Sequence, residues 1–249
     1  MSAATAPRVL ADGSVAAEGL VARAIMDLTD RGAITEERWL LSDAPLPGRT
    51  SWSARLLKRT FDLLGATLMI ILCAPLLALV AVAIRLEGAG PVFFMQTRVG
   101  RHGRPFRILK FRTMVVGADA LKESLRDLNE ATGLFKIAAD PRVTRVGALV
   151  RKTCIDELPQ LFNVLRGEMS LVGPRPLIPE EDRQIVGWHR TRLQMSPGMT
   201  GHWQVLGAAR VPLQEMVAID CRYVANWTVW SDIKTLARTI RCVLALQGM

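Results

Sequence analysis

The chain has 249 residues, is 50% hydrophobic and carries a formal net charge of +9. Mean hydropathy is positive, at +0.22, which excludes disorder for most of the chain. A multi-span membrane protein needs several apolar stretches of about 20 residues and this sequence has one, so one domain, or at most two, is expected.

Residues 1–50 read as a mixed, partly flexible N-terminal extension. It is slightly acidic, with seven acidic and five basic residues. A helix is expected over 18–40, carried by Leu20, Val21, Ile25, Met26 and Leu28. No charged start leads into an apolar core there, so it does not read as a secretory signal.

Residues 51–62 carry Arg55, Lys58, Arg59 and Asp62, and Leu63 to Ile84 carry no charge at all. As a helix that run is roughly 33 Å long, enough to cross a hydrocarbon core of about 30 Å. Two features argue against a simple span. Pro75, near the middle, removes a backbone donor and breaks or kinks the helix. Both flanks are basic, whereas a span concentrates Lys and Arg on its cytoplasmic side. The pattern favours a re-entrant anchor over residues 51–90, a helix–break–helix that returns to the same face. A kinked span and a buried core helix are the alternatives.

Residues 85–112 hold seven basic residues against Glu87 alone. Beside an apolar segment such a stretch reads as contacts to anionic headgroups. Nucleic acid is the rival partner, disfavoured because aromatics are only 6% and no nucleic-acid motif is present. Val92–Gln96 and Phe106–Phe111 around Gly100–Gly103 predict a short β-hairpin. Its Arg98, Arg101, Arg104 and Arg107 also fit a solvated edge. Helices are expected over 117–131, 156–166 and 179–192. A last helix, over 231–246, is expected to bury Ile233, Leu236, Ile240, Val243 and Leu244 and to show Lys234, Arg238 and Arg241. It packs on the core or lies on the membrane, with the core favoured. Cys73, Cys154, Cys221 and Cys242 form no C-x-x-C pair, and His102, His189 and His202 have no metal-ligand spacing.

Arg151-Lys-Thr-Cys-Ile-Asp156-Glu157-Leu-Pro-Gln160 is the most informative stretch. Thr153 followed by Asp156 predicts a helix start with both carboxylates in its first turn. They complement the helix dipole there. They also suit Mg2+, which shares substrate phosphate oxygens, and a carboxylate can attack phosphorus. In Gly173-Pro-Arg175-Pro176 two prolines stiffen the backbone around an arginine, either a plain turn or a phosphate grip. Lys110-Phe-Arg112-Thr-Met114 closes the basic hairpin. Pro197-Gly-Met-Thr200-Gly201-His-Trp203-Gln204 is a turn followed by an aromatic and an amide.

In this order the motifs resemble the bacterial sugar transferase family, the monotopic phosphoglycosyl transferases. Further matching pieces are Lys58-Arg59-x-Phe61-Asp62, Gly90-Pro-Val-Phe-Phe-x-Gln96-x-Arg98-Val-Gly100, Arg145-Val-Gly147, Asn163-Val-Leu-Arg-Gly167, Met169-Ser-Leu-Val172 and Tyr223-Val-x-Asn-Trp227. The resemblance covers about residues 55–249 and not 1–50, which leave no room for the extra membrane helices of larger relatives.

The resemblance implies an α+β, mostly helical fold. The re-entrant helix, broken at Pro75, leads into a cytosolic catalytic domain over 91–249 with amphipathic interface helices. It implies transfer of a sugar-1-phosphate from a UDP-sugar to polyprenyl (undecaprenyl) phosphate, with UMP released. Asp156 is the expected nucleophile and Glu157 the expected Mg2+ ligand beside it. Arg175 and Arg151 are expected at phosphate, with Lys110, Asp220 and Arg112 as further site candidates. The place implied is the cytoplasmic face of the bacterial inner membrane, with pairing of copies possible. A scaffold without catalysis and a basic nucleic-acid binder are the rival functions. One departure is Arg210, displaced by two residues from the family's usual position.

Overall fold

The computed structural model describes residues 51–121, 123–128, 137, 139–205 and 212–244. The N-terminal extension with its expected helix over 18–40, Arg210 and the last residues of the chain lie outside these.

Helix α1 (Trp52–Glu87) has 36 residues. It is long and apolar enough to cross a membrane. It continues unbroken through Pro75, so the expected helix–break–helix is here one helix with proline inside it. The missing N–H costs one rung of the ladder, which a long helix absorbs by bending. The apolar run is not a core helix: Leu64, Leu68, Ile71, Leu72 and Leu79 are all exposed. Burial is confined to its two ends. Asp62 and Ala66 are buried near one end, and Val80 and Ile84 near the other. Ala66 joins a core of Phe106, Ile108, Leu161, Val164 and Leu171. Val80 and Ile84 join Phe111 and Val150.

The expected hairpin forms. Strands β1 (Phe93–Val99) and β2 (Pro105–Phe111) pair antiparallel, with Phe93 opposite Phe111 and Val99 opposite Pro105. The turn at its tip places His102 and Gly103 at positive φ. Helix α2 (Arg145–Lys152) is capped by Thr144, whose hydroxyl accepts from the Gly147 amide at 3.0 Å. Helix α3 (Gln160–Arg166) ends at Gly167 in the left-handed region, the usual glycine stop. Strand β3 (Ser170–Val172) pairs parallel with β4 (Gly198–Thr200). Short helices α4 (Pro179–Asp182) and α5 (His202–Val205) flank them. Helices α6 (Leu213–Ala225) and α7 (Val229–Leu244) close the described chain.

Three expected helices differ. Over 117–131, turns and a 3-10 segment (Glu123–Leu128) replace the α-helix, and 122 and 129–131 lie outside the described residues. Gly117 sits at φ +80 and Leu121 is 46% exposed, so no buried stripe holds a helix together there. The helix over 179–192 stops at Asp182 and resumes as a 3-10 segment (Gly187–Gln194) after Gly187 at φ +62. In α7 the inward residues are Asp232 and Thr235, while Ile233 and Ile240 face out. Leu236 packs partly buried against the core as expected, and the polar part of the inward face meets side chains from α1 and α6.

Those contacts bury cations expected at the membrane surface. Lys58 Nζ donates to Asp232 Oδ2 at 2.7 Å and to the Val172 carbonyl at 3.0 Å. Tyr223 Oη donates to Asp232 Oδ1 at 2.7 Å, and Trp227 Nε1 to Asp232 Oδ2 at 3.0 Å. Arg59 donates to the carbonyls of Val164 and Leu165 near the end of α3. Of the basic residues before the apolar run, Arg55 alone among the described residues stays exposed.

Candidate active site

The carboxylate pair follows α2, and its local structure differs from the expected helix start. Thr153 is the C-cap of α2, donating its hydroxyl to the carbonyls of Leu149 and Val150. Cys154 then turns the chain at φ 56, in the left-handed region. Such a conformation costs a non-glycine residue on the order of 1–2 kcal/mol and concentrates at functional sites. Asp156 and Glu157 follow in a single 3-10 turn (Ile155–Glu157). Pro159, with no N–H to give, separates that turn from α3. The carboxylates therefore project from a tight corner between two helices.

Around the corner, cations converge. Lys110 Nζ, from β2, donates to Glu157 Oε1 at 2.5 Å. Arg151 donates its Nε to Thr113 Oγ1 at 2.8 Å, which anchors it beside the corner. Close packing of α2 on the segment after β2 depends on Gly147, where a Cβ would stand 2.1 Å from the Thr113 carbonyl.

The two adjacent carboxyls are driven apart. Burial, then the charge on Glu157, pushes Asp156 up to about 6 against the pull of Lys110 and Arg151. Burial also opposes charge on Glu157, but Lys110, Arg175 and Gln160 outweigh it and hold that carboxyl below its ordinary value. Adjacent groups with separated proton affinities are suited to different tasks.

Arg175 lies between two loops packed backbone to backbone. Gly173 N–H donates to the Thr200 carbonyl, and Gly198 N–H to the Pro174 carbonyl, each at 2.9 Å. A Cβ on Gly198 would stand 2.0 Å from the Gly173 nitrogen, so only glycine permits this approach. The Arg175 guanidinium lies over the Trp203 ring, 4.8 Å from its centroid. Its Nε is buried with no hydrogen-bond partner among the described atoms. A buried guanidinium N–H without an acceptor suits an incoming anion.

The remaining predicted residues divide. Asp220 is buried and takes the Arg175 backbone amide at 3.0 Å, so it supports the arginine rather than the carboxylate pair. Burial pushes its carboxyl up to about 6, against Arg192 and Arg175. Arg112 is engaged elsewhere. It donates to the carbonyls of Ile84, Gly88 and Ala89 and so caps the C-terminal end of α1. Pro75 lies within α1, on its exposed middle.

Three residues escaped the sequence reading. Arg98 was grouped with the hairpin's surface charge. It is largely enclosed, with Nη1 donating to the Pro176 carbonyl at 3.1 Å and Nη2 to Gln96 Oε1 at 2.7 Å. Burial, then Arg175, lowers its pKa to about 10. Asn163 is fully buried and bridges α3 to β2, accepting from Leu109 N–H and donating to the Arg107 carbonyl and Glu168. Arg192 lies beneath Arg175. Spacing in the sequence carried no sign of these pairings, which join residues 56 and 78 positions apart.

The bacterial sugar transferase family matches residues 53–246, which takes in α1 from its second residue on and every side chain of this site. The chain belongs to that family. Among relatives, it is 47% identical over 201 residues to the UDP-galactose-lipid carrier transferase of Erwinia amylovora, covering 79% of this chain and 42% of the relative. It is 40% identical over 208 residues to the UDP-glucose:undecaprenyl-phosphate glucose-1-phosphate transferase of Escherichia coli, covering 80% of this chain and 42% of the relative. The exopolysaccharide production protein ExoY of Rhizobium meliloti is 40% identical over 200 residues, covering 77% of this chain and 87% of that protein. The chain thus spans less than half the length of the Erwinia and Escherichia family members and most of the length of the Rhizobium one.

The site was also expected to hold Mg2+. Among the described residues no cluster of three or more His, Cys, Asp or Glu side chains forms. That is compatible with Mg2+, which is commonly bound by one or two carboxylates plus waters and substrate phosphates. Asp156 and Glu157 are adjacent and partly accessible, so the donor set fits.

Proposed function

We propose that the chain transfers a sugar-1-phosphate from a UDP-sugar to a membrane polyprenyl phosphate, releasing UMP, as an initiating step of exopolysaccharide synthesis. The observation that carries this is the corner at Asp156. It sets one carboxylate of raised pKa beside an ionised Glu157, within the electrostatic reach of Lys110 and Arg151. The names of the relatives support the same substrates.

In this reading Arg175 and Arg151 hold the donor's diphosphate by charge-assisted hydrogen bonds. Asp156, ionised, attacks the phosphorus that bears the sugar. The bond to the UMP oxygen breaks and a phosphosugar–aspartyl acyl phosphate, a mixed anhydride, remains. The polyprenyl phosphate oxygen then attacks that phosphorus and returns Asp156 to its carboxylate. Lys110 keeps Glu157 anionic between turnovers. Asp156 and Glu157 would hold Mg2+, which supplies charge neutralisation at the diphosphate.

A same-face, re-entrant topology is part of the proposal. Both ends of α1 bury against the one domain while residues 71–76 are exposed, Cys73 excepted as partly so. Ends that reach one domain favour a helix that dips into the inner membrane from its cytoplasmic side. A nucleophile held at that surface meets a lipid phosphate without extracting it.

The test is UMP release by purified protein with undecaprenyl phosphate, Mg2+ and a panel of UDP-sugars, led by UDP-galactose and UDP-glucose. Release with at least one sugar is expected. Full release by D156N overturns the nucleophile assignment.

A further inference from the structure

Arg192 is 1% exposed and carries its charge deep beneath the Arg175 loop. Burying a guanidinium is costly unless its charge and N–H groups are answered. Here one nitrogen, Nη2, donates both to Asp220 Oδ2, at 3.2 Å, and to the backbone carbonyl of Arg175. The same Asp220 oxygen accepts the Arg175 amide at 3.0 Å. The contacts form a closed ring: Arg175 amide to Asp220, Asp220 to Arg192, Arg192 to the Arg175 carbonyl. Both peptide groups of Arg175 are held by one buried ion pair.

Two further holds complete the cradle. Arg98 donates to the carbonyl of Pro176, the next residue. The Trp203 ring lies against the Arg175 guanidinium. Pro174 and Pro176 restrict the backbone on either side. A residue fixed at its own amide, its own carbonyl and its side-chain face has one orientation to offer.

We infer that Arg192 is a positioning residue that acts through Arg175: its buried pair with Asp220 presets the guanidinium for the diphosphate of the donor. This rests on the reading that Arg175 binds that diphosphate. At 1% exposure Arg192 itself does not meet the donor. Its effect is preorganisation, since an arginine fixed before binding loses less entropy on binding.

The experiment measures UMP release at varied UDP-galactose, with undecaprenyl phosphate in mixed micelles, for wild type, R192K, R175A and the double variant. Lysine is one bond shorter than arginine, so its ammonium falls short of the place from which Nη2 makes both contacts. R192K is expected to raise the donor KM on the order of tenfold, with the acceptor KM unchanged. On the R175A background the same substitution is expected to change the donor KM less than about twofold, because residues that act through one another are not additive. An unchanged donor KM in R192K overturns the inference, as does an equal factor on both backgrounds. If R192K does not fold, D220N takes its place in the same cycle, with the same expected and overturning results. Wild type that releases no UMP from any UDP-sugar overturns the functional reading and this inference with it.

Discussion

Lys110 Nζ stands 2.5 Å from Glu157 Oε1, so a cation of the protein already occupies the carboxylate expected to face Mg2+. The pair is about one-quarter exposed on each side (25% and 28%), so solvent weakens it and it can open. A divalent ion bound there would compete with Lys110 for Glu157. Replacing Lys110 with Met is expected to leave E157 more available, lowering the Mg2+ concentration for half-maximal UMP release while lowering the maximal rate. E157Q is expected to cut UMP release by about 100-fold or more and raise that concentration. A Mg2+ titration of each variant checks both, and an unchanged half-maximal concentration in K110M refutes the competition.

Asp156 gives a pH prediction for the metal-free protein. Its carboxyl is raised to about 6 by burial and by Glu157. A raised acid pKa means the neutral form persists below about pH 6, and the carboxylate that the proposed reaction uses appears above it. Infrared titration in EDTA of wild type against D156N should show one carboxyl ionising near that pH. Added Mg2+ should move it down, because a dication favours the carboxylate. A wild-type signal confined below pH 4 would contradict the burial argument.

Asn163 predicts a stability change rather than a catalytic one. It answers Leu109 N–H and the Arg107 carbonyl, at 3.0 and 2.8 Å, in a fully buried position. N163A leaves both backbone groups unpaired and is expected to cost roughly 2–4 kcal/mol. Urea unfolding in detergent measures this. N163D at low pH, with its carboxyl protonated, keeps the acceptor and has one O–H donor where the amide has two, so it should fall between wild type and N163A there.

The topology reading predicts that labels at residues 51 and 244 are reached from the same side of sealed vesicles. A label at 244 protected where one at 51 reacts would establish a span instead.

The sequence carried the hairpin, the long apolar helix and the motif order because each is local: alternation, an uncharged run, a fixed spacing. It misled at Thr153, whose hydroxyl turns back to Leu149 and Val150 and ends α2 rather than starting α3. Local pattern has no sense of direction when a helix lies on each side. It misled again at α7, where Ile233 and Ile240 look inward by periodicity and face outward in the fold. The inward place is taken by Asp232, whose partners are Tyr223 and Trp227 just before it and Lys58, 174 residues away. Arg98 and Arg192 were illegible for the same reason. An enclosed cation is recognisable only with its partners, and apart from Gln96 beside Arg98 these are carbonyls and a carboxylate distant in sequence.

Lys58 and Asp232 are separated by 174 residues. At a ribosomal pace of about 5–20 residues per second, the lysine emerges on the order of 10–35 s before its partner. Throughout that interval the foot of α1 has no Asp232 to neutralise it, and Lys58 is free to remain hydrated at the membrane surface. Among the described residues, the last helix to be made is therefore the one that locks the first in place. A chain arrested short of Asp232 leaves Lys58 without the carboxylate that holds it in the buried cluster of the finished protein.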